Sequence, residues 1–262
     1  MSRLQQTFER LKAQGRGGLV AYLTAGDPEP DTSAAIMTAV ARAGADVLEI
    51  GVPFSDPLAD GPVIQRAIER ALASGMTLQR TLELVRNVRT TVDTPIVLFT
   101  YANPVLRMEP RAFARAAADA GVDGVLILDY PVEEAEPLRG PLVEAGLDPI
   151  FLVSPTTTDE RIRRSGELGR GFLYVISRLG VTGMRTQLAS DVPALLARVR
   201  ASSSLPIAVG FGISSPEHVA EACRSADAAV VGSALVDTIA RRGNGDAATC
   251  AGEYVTWLKS GL

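Results

Sequence analysis

Eight short apolar runs, rich in β-branched residues, recur along the chain at 19–24, 46–51, 95–100, 124–128, 149–153, 172–176, 205–209 and 227–231. Each is five or six residues long, the length of a strand, and most are apolar throughout rather than alternating. Continuous apolarity means burial on both faces, which a parallel sheet covered by helices provides. The segments between them are Ala-rich with helical periodicity, at 32–43, 111–120, 132–145, 189–201 and 216–223. One joint is reused: Ala43-Gly44-Ala45-Asp46, Ala120-Gly121-Val122-Asp123 and Ala145-Gly146-Leu147-Asp148 each precede a strand, and Ser225-Ala226-Asp227 is a looser copy. A glycine just past a helix end supplies the left-handed backbone that stops the helix. The chain therefore repeats one helix-to-strand unit.

Strand starts fall 22 to 33 residues apart, except for one gap of 49 that holds an insertion, 52–76, ahead of a helix near 77–91. No linker or break in composition divides the chain. The expected fold is α/β: a (β/α)8 TIM barrel, residues 1–262 as one domain, with an N-terminal helix and an insertion after strand two. A doubly wound open sheet is the alternative. It usually offers a glycine-rich turn after its first strand, and Thr24-Ala25-Gly26-Asp27-Pro28 lacks that form.

Composition narrows the chemistry. Lysine and arginine number 26 against 30 acids, a net charge of −4, which is the wrong sign for neutralising nucleic-acid phosphates. No apolar run approaches the ~20 residues of a membrane span. The first 18 residues are charged and lack an apolar signal core, and Cys223 and Cys250 are unclustered, so the expectation is a cytoplasmic protein without disulfides. There is one histidine, His218, and the only lysines are Lys12 and Lys259, near the two ends. Zinc sites, serine or cysteine triads and Schiff-base lysines are all poorly served by that set. Carboxylates, tyrosines and backbone amides are left to do any chemistry.

In a barrel the chemistry sits where the strands end. Glu49, in Val47-Leu48-Glu49-Ile50-Gly51, is the only acid inside any run, and it shares parity with Val47 and Gly51. A structural ion pair is one reading. The other is a carboxyl in an apolar wall, whose raised pKa suits proton transfer near neutrality. Asp60 follows in the loop Pro53-Phe54-Ser55-Asp56-Pro57-Leu58-Ala59-Asp60-Gly61-Pro62. Taken alone it reads as a turn residue. Beside Glu49 it reads as the second carboxyl of a donor and anion pair, with Asp56 as its rival. Glycine-bearing ends follow the late strands: Gly180-Val181-Thr182-Gly183, Gly210-Phe211-Gly212-Ile213-Ser214 and Gly232-Ser233, the last opening a helical stretch. These are either tight turns with a Ser cap or backbone N–H groups presented to a phosphate. Tyr174 is either core or a hydroxyl in the barrel mouth. His218 reads as exposed and non-catalytic, and Asn103-Pro104 and Asp129-Tyr130-Pro131 as loop punctuation.

The run from Glu49 to Gln65, Glu49-Ile50-Gly51-Val52-Pro53-Phe54-Ser55-Asp56-Pro57-Leu58-Ala59-Asp60-Gly61-Pro62-Val63-Ile64-Gln65, resembles the signature of the tryptophan synthase alpha chain family. Thr24-Ala25-Gly26-Asp27-Pro28, Tyr101-Ala102-Asn103-Pro104, Ser177-Arg178-Leu179-Gly180-Val181-Thr182-Gly183, Gly210-Phe211-Gly212-Ile213 and Val231-Gly232-Ser233-Ala234 extend the resemblance across essentially the whole chain. It implies retro-aldol cleavage of 1-C-(indol-3-yl)glycerol 3-phosphate to indole and D-glyceraldehyde 3-phosphate, with no metal and no cofactor in this chain. By resemblance Glu49 is the acid-base residue, Asp60 binds the indole N–H, and Tyr174 helps position that end. Gly183, Gly212, Gly232 and Ser233 would contact the phosphate, while Tyr22 and Phe211 line the pocket. Residues 178–191 would form a lid, with Thr182 touching Asp60.

The implied partner is a pyridoxal-phosphate (PLP) beta chain in an α2β2 heterotetramer, met by residues 53–62 and 103–108 and receiving indole through a tunnel. Two alternatives stay open: a stand-alone lyase releasing free indole, and a regulatory subunit that mainly activates a beta chain. Tyr130 departs from the family pattern, standing where a smaller aliphatic is common.

Overall fold

The computed structural model describes residues 1–176, 192–210, 212–242 and 246–262. In chain order the described elements begin with α1 (Arg3–Ala13), β1 (Gly18–Thr24), α2 (Pro30–Arg42), β2 (Val47–Gly51), α3 (Pro62–Ala73), α4 (Leu78–Arg89) and β3 (Ile96–Thr100). They continue with α5 (Ala102–Met108), α6 (Pro110–Ala120), β4 (Gly124–Ile127), α7 (Glu136–Glu144), β5 (Asp148–Val153), α8 (Asp159–Leu168) and β6 (Leu173–Ile176). The last are α9 (Val192–Ser202), β7 (Ile207–Gly210), α10 (Pro216–Cys223), β8 (Ala228–Val231), α11 (Ser233–Arg242) and α12 (Ala247–Lys259). All strand pairs are parallel, neighbours follow sequence order, and β1 pairs with β8 to close the barrel. The eight runs are the eight strands, displaced at most by two residues at their starts.

Strand parity decides what faces inward. Val20, Val47, Val97, Leu126, Ile150, Tyr174, Ala208 and Val230 form the interior cluster. Leu48 and Ile50, of opposite parity, join the larger cluster under the helices. Glu49 therefore points into the barrel with Val47, as its parity predicts. Helix α1 closes the end at which the strands begin. Its Leu4, Phe8 and Leu11 pack into the interior cluster, with the Phe8 ring 5.5 Å from that of Phe172. Each such buried apolar side chain stabilises the fold by roughly 1.5–3 kcal/mol.

The repeated joint has a double use. Gly44, Gly121 and Gly146 take φ of 97°, 85° and 80°, the left-handed region that ends the preceding helix. In two of these joints and in the looser copy at 225–227 the aspartate reaches sideways to the strand before it, whereas Asp148 accepts from the Ser2 hydroxyl. Asp46 accepts from the Leu19 N–H at 3.0 Å, Asp123 from Ile96 at 2.8 Å and Asp227 from Ile207 at 2.7 Å. Arg16, Arg89 and Arg200 in turn hold these carboxylates. The strand starts are thus capped by charge at the end away from the site.

Two segments differ from expectation. The 52–76 insertion carries α3, whose buried Ile64, Ala67, Ile68 and Ala71 follow helical spacing. Asn103-Pro104 lies within α5 rather than in a loop. Proline is tolerated there because first-turn N–H groups have no partner in the helix.

Candidate active site

A cavity of about 190 Å³ opens at the strand ends. It is lined by Tyr22, Glu49, Asp60, Phe99 and Tyr174 together with Gly210, Gly212, Ile213, Gly232 and Ser233. The structure thus brings seven of the sequence-predicted residues together: Glu49, Asp60, Tyr22, Tyr174, Gly212, Gly232 and Ser233. Thr182, Gly183, Phe211 and the whole 178–191 lid segment lie outside the described residues.

Glu49 sits opposite Tyr22 on β1 and Val97 on β3, fully enclosed by the sheet. Among the described residues, its two carboxyl oxygens are the buried side-chain atoms left without a hydrogen-bond partner. Burial first, and the nearby negative charge of Asp60 second, push its pKa up to about 8. At neutral pH it is a proton donor. An unpartnered buried carboxyl costs stability, so a purely structural ion pair does not describe it.

Asp60 is held differently. The turn that follows β2 accepts its N–H on Pro57, and the Gln65 amide donates to its carbonyl at 2.8 Å. Tyr101, the residue directly after β3, donates its hydroxyl to Asp60 Oδ2 at 2.7 Å and accepts from the Ala59 N–H at 3.1 Å. Burial lifts the Asp60 pKa to about 6, while the Tyr101 hydroxyl pulls the other way. The pair is therefore one neutral acid and one anion near pH 7. Asp56, the rival, is exposed and takes the Ser55 hydroxyl instead.

The aromatic wall depends on two strand-end glycines. A Cβ on Gly51 would collide with the Tyr22 ring, and one on Gly210 would lie 2.8 Å from the Tyr174 hydroxyl. Phe99 ties the two tyrosines together, edge-on to Tyr22 at 5.3 Å and 6.5 Å from Tyr174. The result is a flat-sided apolar slot with the two carboxyls on it. Beside Tyr22, Gly232-Ser233 leads into α11, whose first N–H groups lack helical partners and favour an anion. No lysine or arginine is among the described lining residues, so an anion there is met by backbone and helix dipole. Among the described residues no group of three or more His, Cys, Asp or Glu side chains is arranged to hold a metal ion.

The chain matches the family model described as Tryptophan synthase alpha chain over residues 8–259. The chain belongs to the tryptophan synthase alpha chain family. It is accordingly a lyase of tryptophan biosynthesis. The alpha chain of Burkholderia thailandensis is 48% identical over 263 residues, covering 100% of this chain and 97% of its own length. That of Solibacter usitatus is 51% identical over 239 residues, covering 91% and 90%. A tryptophan synthase structure from Mycobacterium tuberculosis superposes with a TM-score of 0.92 at 39% identity, covering 100% of this chain and 98% of that one.

Three residues stand apart from their sequence reading. Tyr101 was not among the expected site residues. Its position directly after an interior strand end, in a chain of five tyrosines, was the available signal. His218 is half-buried rather than exposed, and its Nδ1 accepts from the Ser214 N–H at 3.4 Å. Tyr130 packs outward beside Leu138 and Leu142, away from the cavity.

Replacing Tyr101 by Phe removes the donor that favours the Asp60 anion. The expected result is an acid limb of the cleavage rate displaced to higher pH, with a modest loss at neutrality, measured as kcat/KM against pH. An unmoved limb would show that Tyr101 does not set the state of Asp60.

Proposed function

We propose that this chain cleaves 1-C-(indol-3-yl)glycerol 3-phosphate to indole and D-glyceraldehyde 3-phosphate, with Glu49 and Asp60 as the reacting pair within a single 1–262 domain. The observation that carries this is the unpartnered, protonated Glu49 facing an apolar slot that also holds an anionic carboxylate. Glu49 donates its proton to indole C3, and the ring becomes a cationic indolenine. The Asp60 carboxylate accepts the hydrogen bond of the indole N–H and stabilises that charge. Glu49, now a carboxylate, takes the proton of the hydroxyl on the carbon attached to C3. The bond between that carbon and C3 breaks, its electron pair returns to the ring, and an aldehyde forms. Glu49 ends protonated, so no net proton is gained or lost. Tyr22, Phe99 and Tyr174 wall the ring, while Gly212, Gly232 and Ser233 hold the phosphate.

The partner in this reading is a beta chain carrying PLP, assembled as α2β2 in the cytoplasm, with indole passing to it. Exposed Leu58 and Leu106 support it: large apolar side chains, 88% and 52% exposed, on the two segments expected to face that chain. The Phe54 ring, 5.1 Å from Tyr101, links that surface to the Asp60 clamp. Among the described residues no helix is long and apolar enough to cross a membrane.

The test is a cleavage assay on the indole-glycerol phosphate, with and without added beta chain. The expected outcome is indole and aldehyde in equal amounts, with a faster rate once the beta chain is present. A fast rate unchanged by the partner would indicate a stand-alone lyase. Activation of the partner without any cleavage would indicate a regulatory subunit.

A further inference from the structure

The β7 end that carries Gly212 is tied down from a distant part of the chain. Tyr254, on α12, donates its hydroxyl to the Ser214 carbonyl at 2.9 Å across 40 residues of sequence. The Ser214 N–H donates to His218 Nδ1 at 3.4 Å, and the Ser215 hydroxyl caps the His218 N–H at the start of α10. The peptide groups on both sides of Ser214 are therefore held, two residues beyond Gly212.

The C-terminal segment touches the same place again. Gly261 lies so close to Pro216, the first residue of α10, that a Cβ there would collide with the Pro216 carbonyl. Helix α12 also packs on α10 and on α11, and α11 begins at Ser233. One helix thus contacts the loop that holds Gly212, through Ser214, and the helix that starts at Ser233, yet lines no part of the cavity. The Tyr254 ring lies 5.5 Å from the Trp257 ring, which limits how it can swing. Burial raises its pKa to about 12, so the hydroxyl remains a donor across the working range.

We propose that Tyr254 is a positioning residue for phosphate recognition: through Ser214, assisted by His218, it fixes the spacing between the β7 and β8 halves of the anion cradle. This rests on the phosphate reading of those two strand ends. Tyr254 itself touches no substrate atom. Its loss should weaken the grip on the phosphate and leave the carboxyl chemistry intact.

The experiment compares wild type with Tyr254→Phe, titrating glycerol 3-phosphate and, separately, indole, and measuring kcat, KM and Tm. The variant is expected to bind glycerol 3-phosphate roughly threefold to tenfold more weakly, the range of one neutral hydrogen bond. KM for the indole-glycerol phosphate should rise by the same factor, while kcat and indole affinity stay within about twofold. His218→Ala should weaken glycerol 3-phosphate binding in the same sense, and His218→Asn, which restores an acceptor, should recover part of it. If wild type itself fails to bind glycerol 3-phosphate, the cradle reading is wrong and the proposal falls with it. If wild type binds and Tyr254→Phe binds equally well, the cradle stands and the positioning role is overturned. Equal weakening of both ligands with a large drop in Tm would also overturn it, by showing a purely structural role.

Discussion

Glu49→Gln is expected to reduce cleavage of the indole-glycerol phosphate by about 10²–10⁴-fold, the usual worth of a positioned general acid-base group. Gln matches Glu in size, so the slot between Tyr22 and Val97 stays filled. What it lacks is the proton that must move to C3 and then be recovered from the hydroxyl. The loss should appear in kcat far more than in KM, because the interaction is made in the transition state.

A stability measurement separates this from misfolding. The Glu49 pKa is raised from the usual 4.5 to about 8 by burial, so its contribution to stability is lost as pH rises between those values. Above the usual value the unfolded chain holds Glu49 as a solvated anion, which the folded chain cannot match. Gln escapes that penalty, though its buried amide adds one of its own. The variant should be more stable than wild type at neutral pH, by on the order of 1–3 kcal/mol, and more so at alkaline pH. Retained turnover, or a destabilised variant, would count against the role given to Glu49.

Asp60→Asn carries the second large effect. It preserves an oxygen for the indole N–H but removes the negative charge that opposes the indolenine cation. Losing one electrostatic partner of a transition state typically costs about 10²–10³-fold in kcat. The asparagine should also abolish the rise of rate through the Asp60 titration near 6, and relieve the negative charge that helps hold Glu49 protonated. The basic limb should consequently move to lower pH. A variant with wild-type kcat would remove Asp60 from the mechanism.

Most of the barrel was legible because its strands are buried on both faces, so no exposed alternation blurred the runs. The single acid that broke the pattern, Glu49, was visible for the same reason. Helix α3 was hidden behind the Pro/Gly-rich loop that starts it, although Ile64, Ala67, Ile68 and Ala71 carry the helical spacing. Helix α5 was masked by Asn103-Pro104, which marks a turn more often than a first helical turn. Tyr101 and Tyr254 were opaque for another reason. Their partners, Asp60 and Ser214, lie 41 and 40 residues away, and only closure of the barrel brings them together. The family resemblance favours Asp60 over Asp56, and the fold separates the two physically, since Asp60 is buried on the Tyr101 hydroxyl while Asp56 is exposed.

The most direct measurement is the pH dependence of kcat/KM for cleavage by the wild-type chain, which reports the free enzyme's essential groups. A bell is expected, rising through about 6 as Asp60 ionises and falling through about 8 as Glu49 loses its proton. The substrate phosphate also titrates near 6, so the fall near 8 is the decisive limb, and Glu49→Gln must erase it. A rate that climbs once in the ordinary carboxylate range and then stays level through alkaline pH would contradict a protonated Glu49 starting the reaction.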